Sequence, residues 1–542
     1  MSKMFKVPIP INETALSYAP NSPEKVALKA EILRQSNLVV DIPLIIGGEE
    51  IFTEKKGKVR MPHKHKHDLA NFSYAGGAEL KMAVEAAKSA KEAWSQMAFE
   101  HRAAIFLKAA ELIATKYRSL LNAATMLGQS KTAHQAEIDS ACKLADSLRF
   151  NVKFAEDIYK NQPLNSKGVW NRVEYRPLDG FVAAISPFNF TSIGGNLCSV
   201  PAIMGNTVVW KPSSTSLLSN YYIMKIFMEA GLSEGVINFV PSQGSLFSEV
   251  VVSDPDMSGV HFTGSTKTFN TIWKFVASNL DNYKSYPRLV GETGGKDFIF
   301  VHNSYKDVGR IVTAIIRSAF EYQGQKCTAC SRVYIPKSRF TEIKKKLLEE
   351  VAKIKVGDVA DFRNFMGAVI DEKSFDNITN YIERAKKSKV AEVLTCGYDK
   401  SVGWFIMPTI ILTKDPHYET MKDELFGPVL TIYVYDDKDF EETLELCDKT
   451  SAYALTGAIF AKDRETIERM EKALTYSAGN FYINDGCTGT LTGHQPFGGS
   501  RMSGTNDKAG SVLNLCRWIS PRTIKETFVS DNKFEYQFME EE

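Results

Sequence analysis

An alternation between two kinds of segment restricts this chain more than any other feature. Between Phe181 and Val301, short β-rich runs (Phe181-Val-Ala-Ala-Ile, Thr207-Val-Val-Trp, Val236-Ile-Asn-Phe-Val, Val260-His-Phe-Thr, Phe298-Ile-Phe-Val) are separated by helical stretches such as 217–230 and 266–280. The pattern predicts a parallel, doubly wound α/β sheet suited to a nucleotide. A second series follows, with a helix near 307–322, a strand at Arg332-Val-Tyr-Ile, a helix over 340–354 and strands near 429–435, and predicts a second α/β unit. From about Gly77 to Met126 the chain is rich in Ala, Lys, Glu and Leu at helical spacing, which predicts long helices. Tyr175-Arg-Pro and the stretch beyond Cys516 read as extended pieces flanking the two units, of the kind that pair across subunits. No internal repeat is present.

Composition narrows the class of molecule. A chain of 542 residues that is 44% hydrophobic and 24% charged exceeds one ordinary core, so two or three packed units are expected. Its 66 basic and 64 acidic residues leave a formal charge of +2, too little to recruit nucleic acid or an anionic membrane, and favour a small-molecule substrate. Apolar runs such as Gly180 to Ser186 fall far short of the roughly 20 residues that span a bilayer. Eight scattered cysteines do not make a disulfide scaffold and fit a reducing compartment. The stretch Met1 to Pro10 has neither the apolar core of a secretory signal nor an Arg-rich amphipathic pattern, so a cytoplasmic location stays open.

Three segments carry chemistry. Phe320-Glu-Tyr-Gln-Gly-Gln-Lys-Cys327 closes a predicted helix in a Gly-containing loop with Lys326 beside Cys327, a setting that can favour the thiolate. Cys327-Thr-Ala-Cys330 is a CxxC, but no second pair at zinc-ligand spacing lies nearby and no thioredoxin-like context surrounds it, so neither a metal nor a redox pair is expected. The other two are Ile185-Ser-Pro-Phe-Asn189-Phe at a strand end and Gly291-Glu292-Thr-Gly-Gly-Lys296. His63, His65 and His67 would share one strand face like metal ligands, yet Lys64 and Lys66 between them fit a solvated edge. The run Lys344 to Lys346 reads as part of a mixed-charge exposed helix face.

Together these segments resemble the aldehyde dehydrogenase superfamily. Further matching blocks occur in family order: Trp210-Lys211-Pro-Ser, Phe262-Thr-Gly264-Ser265-Thr, Glu424-Leu-Phe426-Gly-Pro and Pro496-Phe497-Gly-Gly-Ser. The resemblance covers roughly residues 40 to 525 and implies a Rossmann-type dinucleotide domain (1–165 and 181–291), an α/β catalytic domain (292–515) and a small oligomerisation flap (166–180 and 516–542). It also implies the roles. The Cys327 thiolate adds to an aldehyde, and the Asn189 amide with the Cys327 backbone N–H steadies the oxyanion. Hydride then leaves for a nicotinamide, and Glu292 activates the water that hydrolyses the thioester. Ser186, Lys211, Ser214, Gly264, Ser265, Glu424 and Phe426 fall at cofactor positions. Many NAD-specific members carry Glu where this chain has Ser214, so NAD is expected and NADP is not excluded.

Within the superfamily, Gly180 to Phe190, Ser318 to Cys330, Asn480 to Asn484 and Gln495 to Asp507 resemble the branch that oxidises L-glutamate γ-semialdehyde, the open form of 1-pyrroline-5-carboxylate, to glutamate. This implies the second step of proline breakdown, a homodimer or higher homo-oligomer, and the mitochondrial matrix of a eukaryote. Phe190, Thr328, Gly489, Thr490 and Phe497 would form the substrate site, with Thr488-Gly489-Thr490 anchoring the α-carboxylate. Thr328 and Thr490 stand where Ser is common, adding a methyl to each hydroxyl. The competing expectations are a dehydrogenase of another semialdehyde, a CoA-acylating member, against which Glu292 argues, and a non-catalytic binding or structural protein on the same fold.

Overall fold

The computed structural model describes residues 6–541, so the first five residues of the N-terminal stretch read above lie outside the described chain. Two seven-stranded sheets organise it. The first uses β1 (Leu44–Ile46), β2 (Glu49–Ile51), β3 (Phe181–Ile185), β4 (Thr207–Lys211), β5 (Ile237–Phe239), β6 (Met257–Thr263) and β7 (Arg288–Glu292) in the spatial order β7-β6-β3-β4-β5-β1-β2. The first five strands in that order are parallel, and the order reverses beside β3, the switch point expected of a doubly wound sheet. Strands this apolar must be covered on both faces: β6 is buried throughout and β3 at all but its last residue. The helices α1 (Gly77–Gln96), α2 (Phe99–Ala114), α3 (Arg118–Gln129), α4 (Leu144–Lys160), α5 (Thr191–Ile203), α6 (Leu217–Ala230) and α7 (Thr266–Ser278) supply the cover. The antiparallel edge strands β1 and β2 escape a sequence reading because three residues each are too few to show a period.

The second sheet takes β8 (Asp297–Val301), β9 (Cys330–Pro336), β10 (Ala391–Thr395), β11 (Thr409–Thr413), β12 (Val429–Tyr435), β13 (Thr456–Phe460) and β14 (Asn480–Ile483) in the order β10-β11-β12-β9-β8-β13-β14. Only β10 runs antiparallel. Residues 293–296 carry the chain directly from β7 of the first sheet into β8 of the second. The helix expected over 307–322 is α8 (Val308–Phe320), opened by Asp307, whose carboxylate accepts the Arg310 N–H at 3.0 Å. It stops early because Tyr322 and Gln323 turn to φ values of 53° and 55°.

The two flanking extended pieces pair with each other. Val169–Pro177 and Ile519–Thr527 form an antiparallel two-stranded ribbon within one chain, so no partner copy is needed to complete that pairing. His63 also departs from expectation. It is buried rather than solvated, with Nδ1 3.2 Å from Ser130 Oγ and Nε2 3.5 Å from Asp358 Oδ1, and desolvation pushes its pKa down to about 4. His65 stacks on Trp404, while Lys64 and Lys66 do reach solvent. The Lys344 to Lys346 run lies on an exposed helix face where Lys346 pairs with Glu350 at 2.7 Å.

Candidate active site

Cys327 sits just past a turn that the backbone adopts under strain. Tyr322, Gln323 and Gly324 take φ values of 53°, 55° and 67° in succession, and each left-handed non-glycine residue costs about 1–3 kcal/mol. Buried hydrogen bonds hold the turn in place. Gln323 Nε2 donates to the carbonyls of Ser130 (2.9 Å) and Ala368 (2.8 Å), its Oε1 accepts from Gly367 N (2.9 Å), and Gln325 Oε1 accepts from Ile370 N (2.9 Å). Only glycine fits at 324, since a Cβ there would lie 2.3 Å from the Gly427 carbonyl oxygen.

Glu292 ends β7 opposite Thr263 of β6, and its carbonyl accepts the Gly264 N–H at 3.1 Å. The glycines after it bring that segment against both neighbours. A Cβ on Gly295 would lie 2.0 Å from the Cys327 carbonyl oxygen, and one on Gly294 would lie 2.2 Å from a Glu424 carboxylate oxygen. Gly295 N donates to Glu424 Oε1 at 2.8 Å. Asn189, buried beyond the end of β3, donates through Nδ2 to the Gln325 carbonyl at 3.1 Å and so is tied to the cysteine loop. A carboxamide has two N–H bonds, so one remains for an oxyanion.

The electrostatics differ from the reading of Lys326 as the thiolate's support. Lys326 Nζ pairs with Glu321 at 2.9 Å, and the Cys327 thiol is pushed up, by burial first and then by the Glu292, Asp297 and Glu424 charges. Burial raises Glu292 to about 7 against the pull of Lys143 and Lys508, with Asp507 adding to the rise. Glu424 also rises to about 7 through burial. Cys330 is a core residue of β9, its thiol on the Arg332 carbonyl at 3.6 Å, not a partner of Cys327.

Strand register sets the cofactor candidates in a row. Ile185 pairs with Lys211 and with Phe262, which leaves Ser186, Lys211 and Gly264 on one carboxyl edge beside Glu292. Ser186 Oγ accepts from Trp210 Nε1 at 3.0 Å. Ser265 caps α7, its Oγ accepting from Thr268 N at 3.2 Å, so the positive end of that helix faces the same edge. Lys211 Nζ finds no acceptor among the described residues, and Glu424 keeps an oxygen without a cation partner. These free groups suit a dinucleotide's hydroxyls and phosphates. Ser214 opens a short turn after β4, and Phe426 packs its ring 5.7 Å from Phe188.

On the other side, Thr328 Oγ1 lies 2.6 Å from Thr488 Oγ1, and Gly489 takes φ 96° with open space where a Cβ would stand. The Lys143 ammonium lies 5.8 and 5.7 Å from the ring centroids of Phe190 and Phe497 and 3.4 Å from Thr490 Oγ1. Behind Phe190, Lys131 packs its ammonium 3.9 Å from the ring centroid and pairs with Asp139 at 2.7 Å. Asp139 also accepts the Thr191 and Ser192 N–H groups at 2.9 Å, capping α5. Lys131, Asp139 and Lys143 escaped the sequence reading because acids and bases at helical spacing look like an exposed face.

The chain is similar to known proteins over nearly its whole length. Residues 52–523 match the aldehyde dehydrogenase family. The chain is 55% identical over 537 residues to a mitochondrial delta-1-pyrroline-5-carboxylate dehydrogenase of Dictyostelium discoideum, covering 98% of this chain and 96% of that protein. It is 48% identical to the human mitochondrial enzyme of the same name, covering 98% and 94%. A crystal structure of the Mycobacterium tuberculosis delta-pyrroline-5-carboxylate dehydrogenase bound with NAD superposes with a TM-score of 0.96 at 48% identity and covers both chains fully.

Proposed function

The chain belongs to the aldehyde dehydrogenase family, and from that premise we propose that it oxidises L-glutamate γ-semialdehyde to L-glutamate with NAD, the second step of proline catabolism. The observation that carries the reading is the convergence of Cys327, on its strained turn, with Glu292 and the open carboxyl edge of the first sheet.

Cys327 is the nucleophile. At rest it is a thiol, and the ionised Glu292 is the largest single charge keeping it so; moving the proton from sulfur to Glu292 removes that opposition. The thiolate then adds to the aldehyde carbon, and the second Asn189 N–H with the Cys327 backbone N–H receives the developing oxyanion. Bound along the edge formed by Ser186, Lys211, Ser214, Gly264 and Ser265, with its nicotinamide end toward Glu424 and Phe426, NAD accepts the hydride that leaves this carbon. A thioester remains on Cys327. Glu292 passes the sulfur's proton to solvent; ionised, it takes a proton from water, whose oxygen attacks the thioester carbon, and gives that proton to the departing thiolate, releasing the acid and the thiol. Phe190 and Phe497 wall the substrate's methylenes, Thr328 adds a hydroxyl, and the Thr488-Gly489-Thr490 backbone receives the carboxylate.

Residues 1–165 and 181–291 form the dinucleotide domain in this reading, 292–515 the catalytic domain, and 166–180 with 516–542 the flap. The ribbon in that flap leaves its outer edges unpaired among the described residues, and Trp170, Phe528, Val529 and Phe538 near it are exposed, which supports a second copy as its partner. The mitochondrial names of several relatives support the matrix as its place of work. NADH formation across an aldehyde panel is the test: glutamate γ-semialdehyde should exceed butyraldehyde by about 10²-fold or more in kcat/KM, and a better rate with butyraldehyde would overturn the assignment.

A further inference from the structure

Lys143 is a cation that the folded chain leaves unpaired. It ends the π-helical turn Glu137–Lys143, is half-buried, and has no ion pair with any described carboxylate. The acids around it are already taken: Glu137 by Arg118, Asp139 by Lys131, and Asp146 by the Asn12 amide and the Glu13 N–H. Its ammonium instead faces the rings of Phe190 and Phe497 and the Thr490 hydroxyl. It is near enough for its charge to act on both Glu292 and Cys327. A half-buried ammonium among two aromatic walls and a hydroxyl lacks an anion, and a substrate carboxylate arriving at that hydroxyl supplies one.

We propose that Lys143 is a specificity-determining residue that pairs with the substrate's terminal carboxylate, and that the site therefore accepts ω-oxo carboxylates whether or not they carry an α-ammonium. The second half follows from charge. The ammonium that attracts the carboxylate repels the substrate's own ammonium; the acids nearest it in the chain, Glu137, Asp139 and Asp146, are engaged elsewhere, and Glu292, on which its charge acts, makes no ion pair with it. An amino group thus contributes little to selection here, and the carboxylate carries it. This rests on the aldehyde dehydrogenase reading above and names one contact within it.

Two measurements test it on the full-length protein with NAD present. With the unaltered protein, glutarate should compete with the aldehyde at least as well as L-glutamate does; L-glutamate binding about tenfold tighter than glutarate would overturn the proposal. The second compares 5-oxopentanoate with pentanal. Lys143→Met should lower the ratio of their kcat/KM values about tenfold or more, chiefly through KM for the carboxylate substrate, and Lys143→Arg should restore most of it. A ratio unchanged in Lys143→Met would also overturn it. Should the unaltered protein oxidise no aldehyde, the catalytic reading fails, while the glutarate comparison, read as binding, still decides the subsite.

Discussion

In the mechanism proposed above Glu292 is the base, and burial is what brings its carboxyl near neutrality. Its pKa is raised to about 7, so the group is mostly protonated below that pH and mostly ionised above it. Thioester hydrolysis needs the ionised form, so its rate should rise as pH increases through about 7, and rapid-quench mass spectrometry should find more acyl-enzyme at pH 6 than at pH 8. Lys508 pulls that pKa down, so Lys508→Met should move the midpoint of the profile to higher pH; a midpoint that stays or falls would show that another group titrates. In Glu292→Gln, a burst of NADH followed by slow turnover is expected in stopped-flow absorbance. If the thiol makes the covalent bond and the cofactor residues lie elsewhere, as proposed, Cys327→Ala should lose at least about 10³-fold in aldehyde oxidation while NAD still binds by calorimetry. Cys327, Glu292 and Asn189 stand out in the sequence as candidates because short motifs surround them. The electrostatics do not: Lys326 adjoins Cys327 in the chain yet spends its charge on Glu321, whereas Lys143, far away in sequence, acts on the thiol.

Single elements decide whether these side chains meet. The turn Glu321–Gly324 is held by hydrogen bonds to two distant segments, at Ser130 and at Gly367–Ala368, so loosening it should misplace Cys327 without unfolding either sheet. Gly324→Ala should therefore reduce kcat by about 10²-fold or more, with thermal unfolding by circular dichroism shifted far less in proportion. The Lys131–Asp139 pair behind Phe190 is fully buried and caps α5, so Asp139→Ala strands an ammonium and frees two N–H groups. A loss of about 3–5 kcal/mol in urea unfolding is expected, and adding Lys131→Met should recover part of it; no recovery would mean that the cap, not the stranded charge, dominates. Periodicity made the long helices and the apolar strands readable. It could not reveal the left-handed run at Tyr322 and Gln323, since neither residue type announces positive φ, nor the π-helical turn that presents Lys143.

Across the whole molecule, the site is shared between two sheets that composition and alternation foretold, whereas the pairing of Val169–Pro177 with Ile519–Thr527 depends on contacts some 350 residues apart in the chain, which no local pattern encodes. If the ribbon joins two copies, Trp170→Asp combined with Phe528→Asp should weaken the assembly by about tenfold or more in sedimentation velocity, and an unchanged mass would place the interface elsewhere. The crossing from β7 to β8 has a different importance. Thr293–Lys296 joins the sheets, but the same glycines lie against the Cys327 carbonyl and the Glu424 carboxylate, so this connection is also packed between the cysteine loop and that acid. Such a chain is poorly suited to recombination at its apparent seam. A chimaera that took its first sheet from one relative and its second from another, spliced between Glu292 and Asp297, would fold two sound halves around a connection fitted to neither, and inheritance would have to pass the two sheets on together.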